Sequence, residues 1–191
     1  MVYLYDKIKK VKVLEVFIME KYVPDVYQKS IYTINYNKLK NNGIKCLLFD
    51  LDNTLVPYSE KKPNDKVVEL FNDLKKQGFK VVLFSNSPKK RLRPFKEILE
   101  VDCCARACKP SPKKFISVIE ELGFNISEVA IIGDQLLTDI LGGNRVGITT
   151  ILTNPISKSD FILTYINRIR EKRKIKKLSK LDLFYKGKYY E

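Results

Sequence analysis

The chain has 191 residues, 45% of them hydrophobic and 30% charged, which allows one well-buried core and excludes a mainly disordered protein. Its formal net charge is +14 at pH 7, and half of that excess lies between Arg168 and Lys180. Such a concentration of positive charge favours a polyanionic partner, either anionic lipid or nucleic acid.

Residues 1–43 precede the first predicted strand and are interpreted as an N-terminal extension. Four apolar residues recur there at helical spacing, namely Val11, Leu14, Phe17 and Ile18. A stripe of this kind is typical of core packing, and contact with a membrane surface is the alternative. No apolar run reaches the length of about 20 residues that a membrane-spanning helix needs, and no secretory cleavage pattern is present.

Residues 44–155 alternate short apolar runs with amphipathic ones and are interpreted as the core domain. The apolar runs predict strands at Ile44–Asp50, Phe79–Ser85, Val101–Ala107, Val129–Gly133 and Val146–Leu152. The amphipathic runs predict helices at Asn64–Gln77, Pro88–Glu100, Ser111–Leu122 and Leu136–Leu141. Because the strands are apolar almost throughout, helices should cover both faces. The pattern predicts an α/β fold with a doubly wound, five-stranded parallel sheet.

Local signals agree with these boundaries. Gly78 suits a C-terminal helix cap, and Ser87 followed by Pro88 suits an N-cap with a first-turn proline. Pro94 falls inside the second predicted helix, which it should kink or split.

Residues 156–191 are interpreted as a basic C-terminal helix and tail. Ile162, Ile166 and Ile169 recur at helical spacing ahead of the basic residues. The pattern fits equally a solvated helix that covers the sheet and an amphipathic helix that lies on anionic lipid.

Polar side chains end or follow the first four predicted strands. They are Asp50, Asp52 and Thr54 after the first, Ser85 and Asn86 at the second, Lys109 after the third, and Asp134 and Asp139 after the fourth. Because ligands of an open parallel sheet bind at the carboxyl ends of its strands, we expect these side chains to share one crevice.

This set of side chains suits the handling of a phosphate monoester. Two or three carboxylates gathered with other oxygen ligands suit Mg²⁺, which screens them from a phosphate dianion. Ser85 and Lys109 would then hold the non-bridging phosphate oxygens. One carboxylate can attack phosphorus, and a second can supply and remove a proton.

Other interpretations of single motifs are weaker. A calcium-binding loop would need Gly and Glu where this chain has Leu55 and Lys61. Cys103, Cys104 and Cys108 lack the spacing of a zinc knuckle, and the chain has no histidine, so buried strand cysteines are expected instead. Without histidine, Ser-His and Cys-His catalysis are excluded. The four cysteines do not suggest a disulfide framework, which agrees with a reducing cytosol.

Four motifs in order resemble those of the haloacid dehalogenase (HAD) superfamily of aspartate-nucleophile phosphatases. They are DLDNT at 50–54, Ser85-Asn86, Lys109-Pro110 and GDQLLTD at 133–139, and the likeness covers about residues 44–155. By this resemblance Asp50 is the nucleophile and a Mg²⁺ ligand, and Asp52 is the general acid/base whose backbone carbonyl is a second ligand.

The same resemblance implies roles for the remaining motif residues. Thr54, Ser85 and Asn86 bind phosphate, and Lys109 offsets its charge. Asp134 is the acidic metal ligand, and Asp139 supports it at the metal site. The segments between the motifs are each long enough for only one helix with its connections, so no cap domain covers the site. An uncovered site predicts a substrate that supplies its own cover, such as a protein, a nucleic acid or a lipid head group in a bilayer.

Flanking motifs, among them DLDNTLVPY and the spacing of Arg91 and Phe95, resemble the YqeG branch of this superfamily. That branch is similar to the phosphatidylglycerophosphate phosphatases of mitochondria and plastids. The likeness spans most of residues 17–173, with a departure at SNSP, where relatives typically carry SNN. It implies a capless phosphatase that converts phosphatidylglycerophosphate to phosphatidylglycerol at the cytoplasmic face of the membrane. The phospholipid head group and the anionic membrane surface are its expected partners.

Two alternatives stay open. The chain could be a capless phosphatase that acts on phosphoprotein or polynucleotide ends, or a non-catalytic RNA-binding protein that uses its positive charge. Nucleic acid is not the favoured partner, because the sequence has no Arg-Gly-rich tract or RNP-type motif and an acidic site repels RNA. The sequence makes no prediction of oligomeric state.

Overall fold

The protein is described by a computed structural model that covers residues 13–157 and 162–191. Its strands are β1 Val26–Gln28, β2 Cys46–Phe49, β3 Lys80–Phe84, β4 Asp102–Cys104, β5 Val129–Gly133 and β6 Thr149–Thr153. They form one parallel sheet in the order β1-β6-β5-β2-β3-β4. The predicted α/β doubly wound parallel sheet is confirmed, and the described residues contain no evident cap domain.

Seven α-helices are described, beginning with α1 at residues 13–20. The others are α2 Tyr36–Asn41, α3 Asp65–Lys76, α4 Lys89–Leu99, α5 Pro112–Glu121, α6 Leu141–Val146 and α7 Ile162–Lys180. A π-helical turn, Leu136–Ile140, leads directly into α6. Of the apolar stripes read from the sequence, Val11 and the side chains of Ile162 and Ile166 lie outside the described part of the chain.

The prediction of five strands is wrong, because the sheet has six. The extra strand β1 comes from the N-terminal extension and pairs with β6, Val26 opposite Ile151. A strand of three residues is too short for its pattern to be read from sequence, and here its place is decided by pairing at the sheet edge. The C-terminal tail covers the other side of β1 through reciprocal backbone hydrogen bonds of 2.9 Å between Tyr27 and Tyr190.

Both faces of the sheet are buried, as the continuous apolar runs predict. In β2, Leu47 and Phe49 pack into one core cluster, whereas Cys46 and Leu48 pack into the other. Alternate strand residues point to opposite faces, so a strand covered on both sides must be apolar at every position. In β2 this leaves only the end of the strand for polar side chains.

The structure corrects several boundaries. The strand β4 ends at Cys104 and not at Ala107. The helix α4 continues through Pro94 instead of splitting there. Its N-cap is Pro88 and not Ser87. The strand β6 begins at Thr149 and not at Val146, because α6 ends at Val146 and Gly147 turns the chain with φ 85°. The proline costs α4 about 3 kcal/mol. Burial of the apolar side chains on its core-facing side, each contributing about 1.5–3 kcal/mol, offsets that cost.

The apolar stripe of α1 does not pack in the core as expected. Leu14 is 59% exposed and Phe17 is 73% exposed, although Met19 on the same helix is buried. The helix lies beside α7, where Lys177 Nζ is 2.6 Å from Glu15 Oε1. An exposed apolar face therefore borders the basic helix.

Candidate active site

Three buried charged side chains meet at the carboxyl end of the sheet. Asp50 follows β2, Lys109 lies in the loop after β4, and Asp139 lies in the π-helical turn. The Lys109 Nζ atom is 2.7 Å from Asp50 Oδ1 and 2.6 Å from Asp139 Oδ1. Burial alone would lower the pKa of Lys109, but the two carboxylates raise it above its ordinary value. The lysine therefore carries a fixed positive charge.

Asp134, which follows β5, completes an acidic cluster with Asp50 and Asp139. A carboxylate oxygen of each lies within 4.8 Å of the others, and all three residues are buried. Burial, with the nearby charge of Asp50, raises the pKa of Asp134 to about 8 and that of Asp139 to about 6, although Arg168 and Lys109 oppose these shifts. An all-oxygen cluster whose own charges repel fits a hard divalent cation.

Thr54 and Ser85 add two buried hydroxyl groups at this edge of the sheet. The Thr54 Oγ1 atom lies 3.5 Å from Asp50 Oδ2 and 3.4 Å from Asp134 Oδ1. Ser85 directly follows β3, and its hydroxyl accepts a hydrogen bond of 3.3 Å from the Ser87 N–H. Hydroxyl groups in such places can donate to the oxygens of a bound phosphate.

Asn86, expected to bind phosphate, is engaged with the backbone of Lys109. The Lys109 N–H donates to Asn86 Oδ1 at 2.7 Å, and Asn86 Nδ2 donates to the Lys109 carbonyl at 3.1 Å. This pair of bonds holds the loop after β4 against the loop after β3. Asn86 thus positions the buried lysine, a role that the sequence did not predict.

Asp52 points to different partners from the acidic cluster. Ser87 Oγ donates to Asp52 Oδ2 at 2.5 Å, and Arg91 donates to Asp52 Oδ1 from Nε at 2.9 Å and from Nη2 at 2.8 Å. Burial raises the pKa of Asp52, against the opposing effect of the bonds from Ser87 and Arg91. A carboxyl group of raised pKa, held in one orientation, is suited to carry a proton.

The helix α7 reaches the site through two residues that sequence reasoning missed. The Arg168 guanidinium contacts the Asp134 carboxylate and donates to the Asp134 carbonyl at 3.2 Å. It also donates to Glu171 Oε2 at 3.1 Å, while Glu171 Oε1 accepts the Leu136 N–H at 2.5 Å. The basic helix is therefore clamped to the loop after β5. Glu171 is the one acidic residue in the basic run from Arg168 to Lys180, and the sequence gives no sign that it is buried.

One glycine is required by the packing of the site. A Cβ atom at Gly133 would lie 2.2 Å from Asp139 Cγ, far inside van der Waals contact. The glycine that ends β5 therefore lets the Asp139 carboxylate reach Lys109, since any side chain at that position would displace it.

Comparison with known proteins identifies a family and relatives of this chain. The family model of haloacid dehalogenase-like hydrolases matches residues 57–147. "Probable phosphatase YqeG" of Bacillus subtilis is 38% identical over 152 residues, which cover 80% of this chain and 88% of that protein. Phosphatidylglycerophosphate phosphatase 1, chloroplastic/mitochondrial, of Arabidopsis thaliana is 31% identical over 166 residues, covering 77% of this chain and 45% of that protein.

Among solved structures, a hypothetical protein from Xanthomonas campestris superposes with a TM-score of 0.51 at 16% identity. The superposition covers 67% of this chain and 75% of that one. At this identity the likeness concerns the fold alone.

Proposed function

The chain belongs to the haloacid dehalogenase-like hydrolase family and is a phosphoric monoester hydrolase, and on this basis we propose that it hydrolyses phosphatidylglycerophosphate with Mg²⁺ at an anionic membrane surface. The observation that carries the proposal is the buried cluster of Asp50, Asp134 and Asp139 beside Lys109. This arrangement offers a phosphate group a carboxylate nucleophile and a fixed positive charge in one crevice.

Asp50 attacks phosphorus and forms an acyl phosphate as the bond from phosphorus to the alcohol oxygen breaks. Asp52 gives its proton to that oxygen, then takes a proton from the water that hydrolyses the acyl phosphate and restores Asp50. Lys109 and the hydroxyls of Thr54 and Ser85 hold the non-bridging oxygens, on which charge spreads in the transition state.

The residues of the acidic cluster fit Mg²⁺ because all three supply carboxylate oxygens that repel one another when no cation is present. Asp50, Asp134 and Asp139 would hold the ion, together with the backbone carbonyl of Asp52. When bound, Mg²⁺ supplies a Lewis acid that neutralises phosphate charge. Arg168 and Lys109 each neutralise part of the cluster from the protein side.

Two observations support a lipid substrate. The Arabidopsis relative is a phosphatidylglycerophosphate phosphatase by name and covers most of this chain. The described residues contain no cap domain, and an open site suits a head group that a bilayer presents. Phosphoproteins and polynucleotide ends are the competing substrates, since a large substrate of either kind would also cover the open site.

A membrane-facing surface is formed by α1 and α7. The exposed side chains of Leu14 and Phe17 offer apolar contact, and α7 offers exposed basic residues beside them. The two helices are adjacent, as shown by the ion pair between Lys177 on α7 and Glu15 on α1, 2.6 Å apart. Each basic residue near an anionic surface contributes about 1 kcal/mol. The described part of the chain contains no helix long and apolar enough to cross a bilayer.

Phosphate release from phosphatidylglycerophosphate in mixed micelles tests the chemistry. We expect Mg²⁺-dependent release by the wild type and its loss in Asp50→Asn, while the exposed Asp73→Asn on α3 keeps it. Hydrolysis that survives in Asp50→Asn would show that the mechanism is wrong. A panel with phosphopeptides and 3′-phosphorylated oligonucleotides separates the lipid from the rival substrates. Filter binding of RNA against salt tests the non-catalytic alternative.

Flotation with anionic vesicles tests the surface separately. Phe17→Ser, and a triple change of Arg170, Lys172 and Lys176 to Gln, should each weaken binding by about 10-fold or more. Ile116→Ser on α5, which removes another exposed apolar side chain away from this surface, is the control. Equal flotation of all variants would exclude this surface as the docking site.

A further inference from the structure

We propose that Arg91 forms a subsite for a second anionic group, carried by the alcohol that leaves, so that the site selects phosphomonoesters whose alcohol bears a phosphodiester. The inference rests on the proposed function, because it takes Asp52 as the group that faces the leaving oxygen. It adds a specificity-determining residue that none of the four sequence motifs contains.

The Arg91 side chain is held in a built site. It is 13% exposed, and its guanidinium carbon lies 4.9 Å from the centre of the Phe95 ring and 5.5 Å from that of Tyr58. Its Nη1 donates to the Glu60 carbonyl. Aromatic faces attract a guanidinium and restrict its rotation. The positive charge is therefore fixed in place by contacts other than the one to Asp52.

The guanidinium keeps donors for a ligand. Arginine has five N–H groups, and its Nε and Nη2 both donate to the same oxygen, Asp52 Oδ1. With Nη1 bonded to Glu60, the contacts within the described residues leave one N–H on each terminal nitrogen. One N–H on each terminal nitrogen is then available to donate to an oxyanion with two oxygens, such as a phosphodiester.

The need to orient Asp52 does not by itself explain why an arginine stands at position 91. Ser87 already holds the other carboxylate oxygen at 2.5 Å. A neutral donor would complete that task without bringing a second cation into the site.

The positive charge in the first turn of α4 also supports an anion subsite. The first turn of α4 carries Lys89, Lys90 and Arg91 and has no acidic residue. Helix N-termini favour acidic residues and disfavour cations, so three cations there weaken the helix. Of the three, Arg91 contacts Asp52, and an anion that arrives with the substrate accounts for cations at this end of the helix. The helix dipole then acts with the three cations and attracts the same group.

Two water-soluble substrates test the subsite without a membrane. Both release a primary alcohol, which is glycerol in glycerol 3-phosphate and a glycerol phosphodiester in the deacylated head group of phosphatidylglycerophosphate. We expect the wild type to favour the phosphodiester substrate by about 10-fold or more in kcat/KM, as a charge-assisted hydrogen bond predicts. Arg91→Gln should remove that preference, and Arg91→Lys should keep part of it.

Ser87→Ala is the matched control, because Ser87 contacts Asp52 without carrying charge. It should lower kcat/KM for both substrates by the same factor and leave the preference intact. Thermal unfolding shows whether each variant is folded, and Arg91→Lys keeps the test valid if Arg91→Gln is not. An equal loss for both substrates in Arg91→Gln would reduce Arg91 to a residue that positions Asp52 and would overturn the subsite.

The outcomes separate this inference from the proposed function. A wild type that prefers the soluble phosphodiester substrate but does not hydrolyse the lipid in micelles would overturn the proposed function and leave the subsite standing. Lipid hydrolysis without any preference between the soluble substrates would overturn the subsite alone. Hydrolysis of neither soluble substrate also counts against the subsite.

Discussion

Replacement of Lys109 by Met isolates the electrostatic contribution of the buried site to stability. The Nζ atom is within 2.7 Å of Asp50 Oδ1 and 2.6 Å of Asp139 Oδ1, and all three residues are buried. Methionine keeps most of the chain length and removes the charge. The acidic cluster then loses the cation that lies between two of its members.

The size of the effect follows from the burial of both ion pairs. Removal of one partner from a buried pair costs about 3–5 kcal/mol, because a charge is left uncompensated. That is a large part of the roughly 5–15 kcal/mol that stabilises a typical domain. For a chain of 191 residues each kcal/mol lowers Tm by about 2–4 °C, so we expect a fall of about 6–20 °C.

Urea unfolding followed by circular dichroism in EDTA measures this loss. The control is Lys113→Met, an exposed lysine in the first turn of α5, which should change stability by no more than about 0.5 kcal/mol. Added Mg²⁺ should recover part of the loss, since a ligand that binds only the folded state stabilises it.

A loss in Lys109→Met of less than about 1 kcal/mol, or one equal to that of Lys113→Met, would contradict this reasoning. It would mean that the acidic cluster does not depend on Lys109 for neutralisation. Failure of Mg²⁺ to stabilise either variant would contradict the assignment of the cluster as the cation site.

Three further predictions concern stability. In EDTA the free energy of unfolding should fall as pH rises from about 4 to 8, because burial raises the pKa of Asp134 to about 8 and the folded state binds more protons in that window. Glu171→Gln should cost about 1–3 kcal/mol in urea unfolding, because a single amide oxygen cannot replace both carboxylate oxygens, which accept the Leu136 N–H and the Arg168 guanidinium. Gly143→Ala should cost about 1–3 kcal/mol by the same measurement, because the new Cβ would lie 2.5 Å from Thr150 Cγ2.

Each of these has a decisive contrary result. An unchanged slope against pH in Asp134→Asn would show that another group titrates. Wild-type stability of Glu171→Gln would mean that the clamp between α7 and the loop after β5 contributes nothing. A stabilised Gly143→Ala would mean that the gain in helix propensity, about 1 kcal/mol, outweighs the clash. Ser117→Ala on α5 reports a smaller gain of the same kind without a clash.

The candidate site shows how far local signals reach. Asp50, Lys109 and Asp139 each follow an apolar run or a helix signal, and the sheet brings them within hydrogen-bonding distance. Their convergence could be predicted because the carboxyl ends of parallel strands share one edge. The partners of Asp52 could not be predicted in this way. Ser87 had the signature of a helix cap, and its hydroxyl instead donates to a carboxylate in another loop.

Contacts made by the chain termini lay beyond sequence reasoning for a similar reason. The strand β1 has three residues, and Tyr190 pairs with Tyr27 from the far end of the chain. Arg168 and Glu171 stand in a run of basic residues that predicts a solvated or lipid-bound helix face. The packing of α7 decides which side of that helix faces the protein. No pattern of neighbouring residues in the sequence predicts this side.

The amino-acid sequence by itself determined the order of strands and helices within residues 44–155, the two-sided burial of the sheet and the gathering of polar side chains at the strand ends. These depend on hydrophobic periodicity and on residues next to one another in the chain. Only the tertiary structure decided the pairing of the sixth strand, the hydrogen bonds from Ser87 and Arg91 to Asp52, and the contact of α7 with Asp134. Such contacts join distant segments, and their free energy depends on a geometry that exists only after the sheet has assembled.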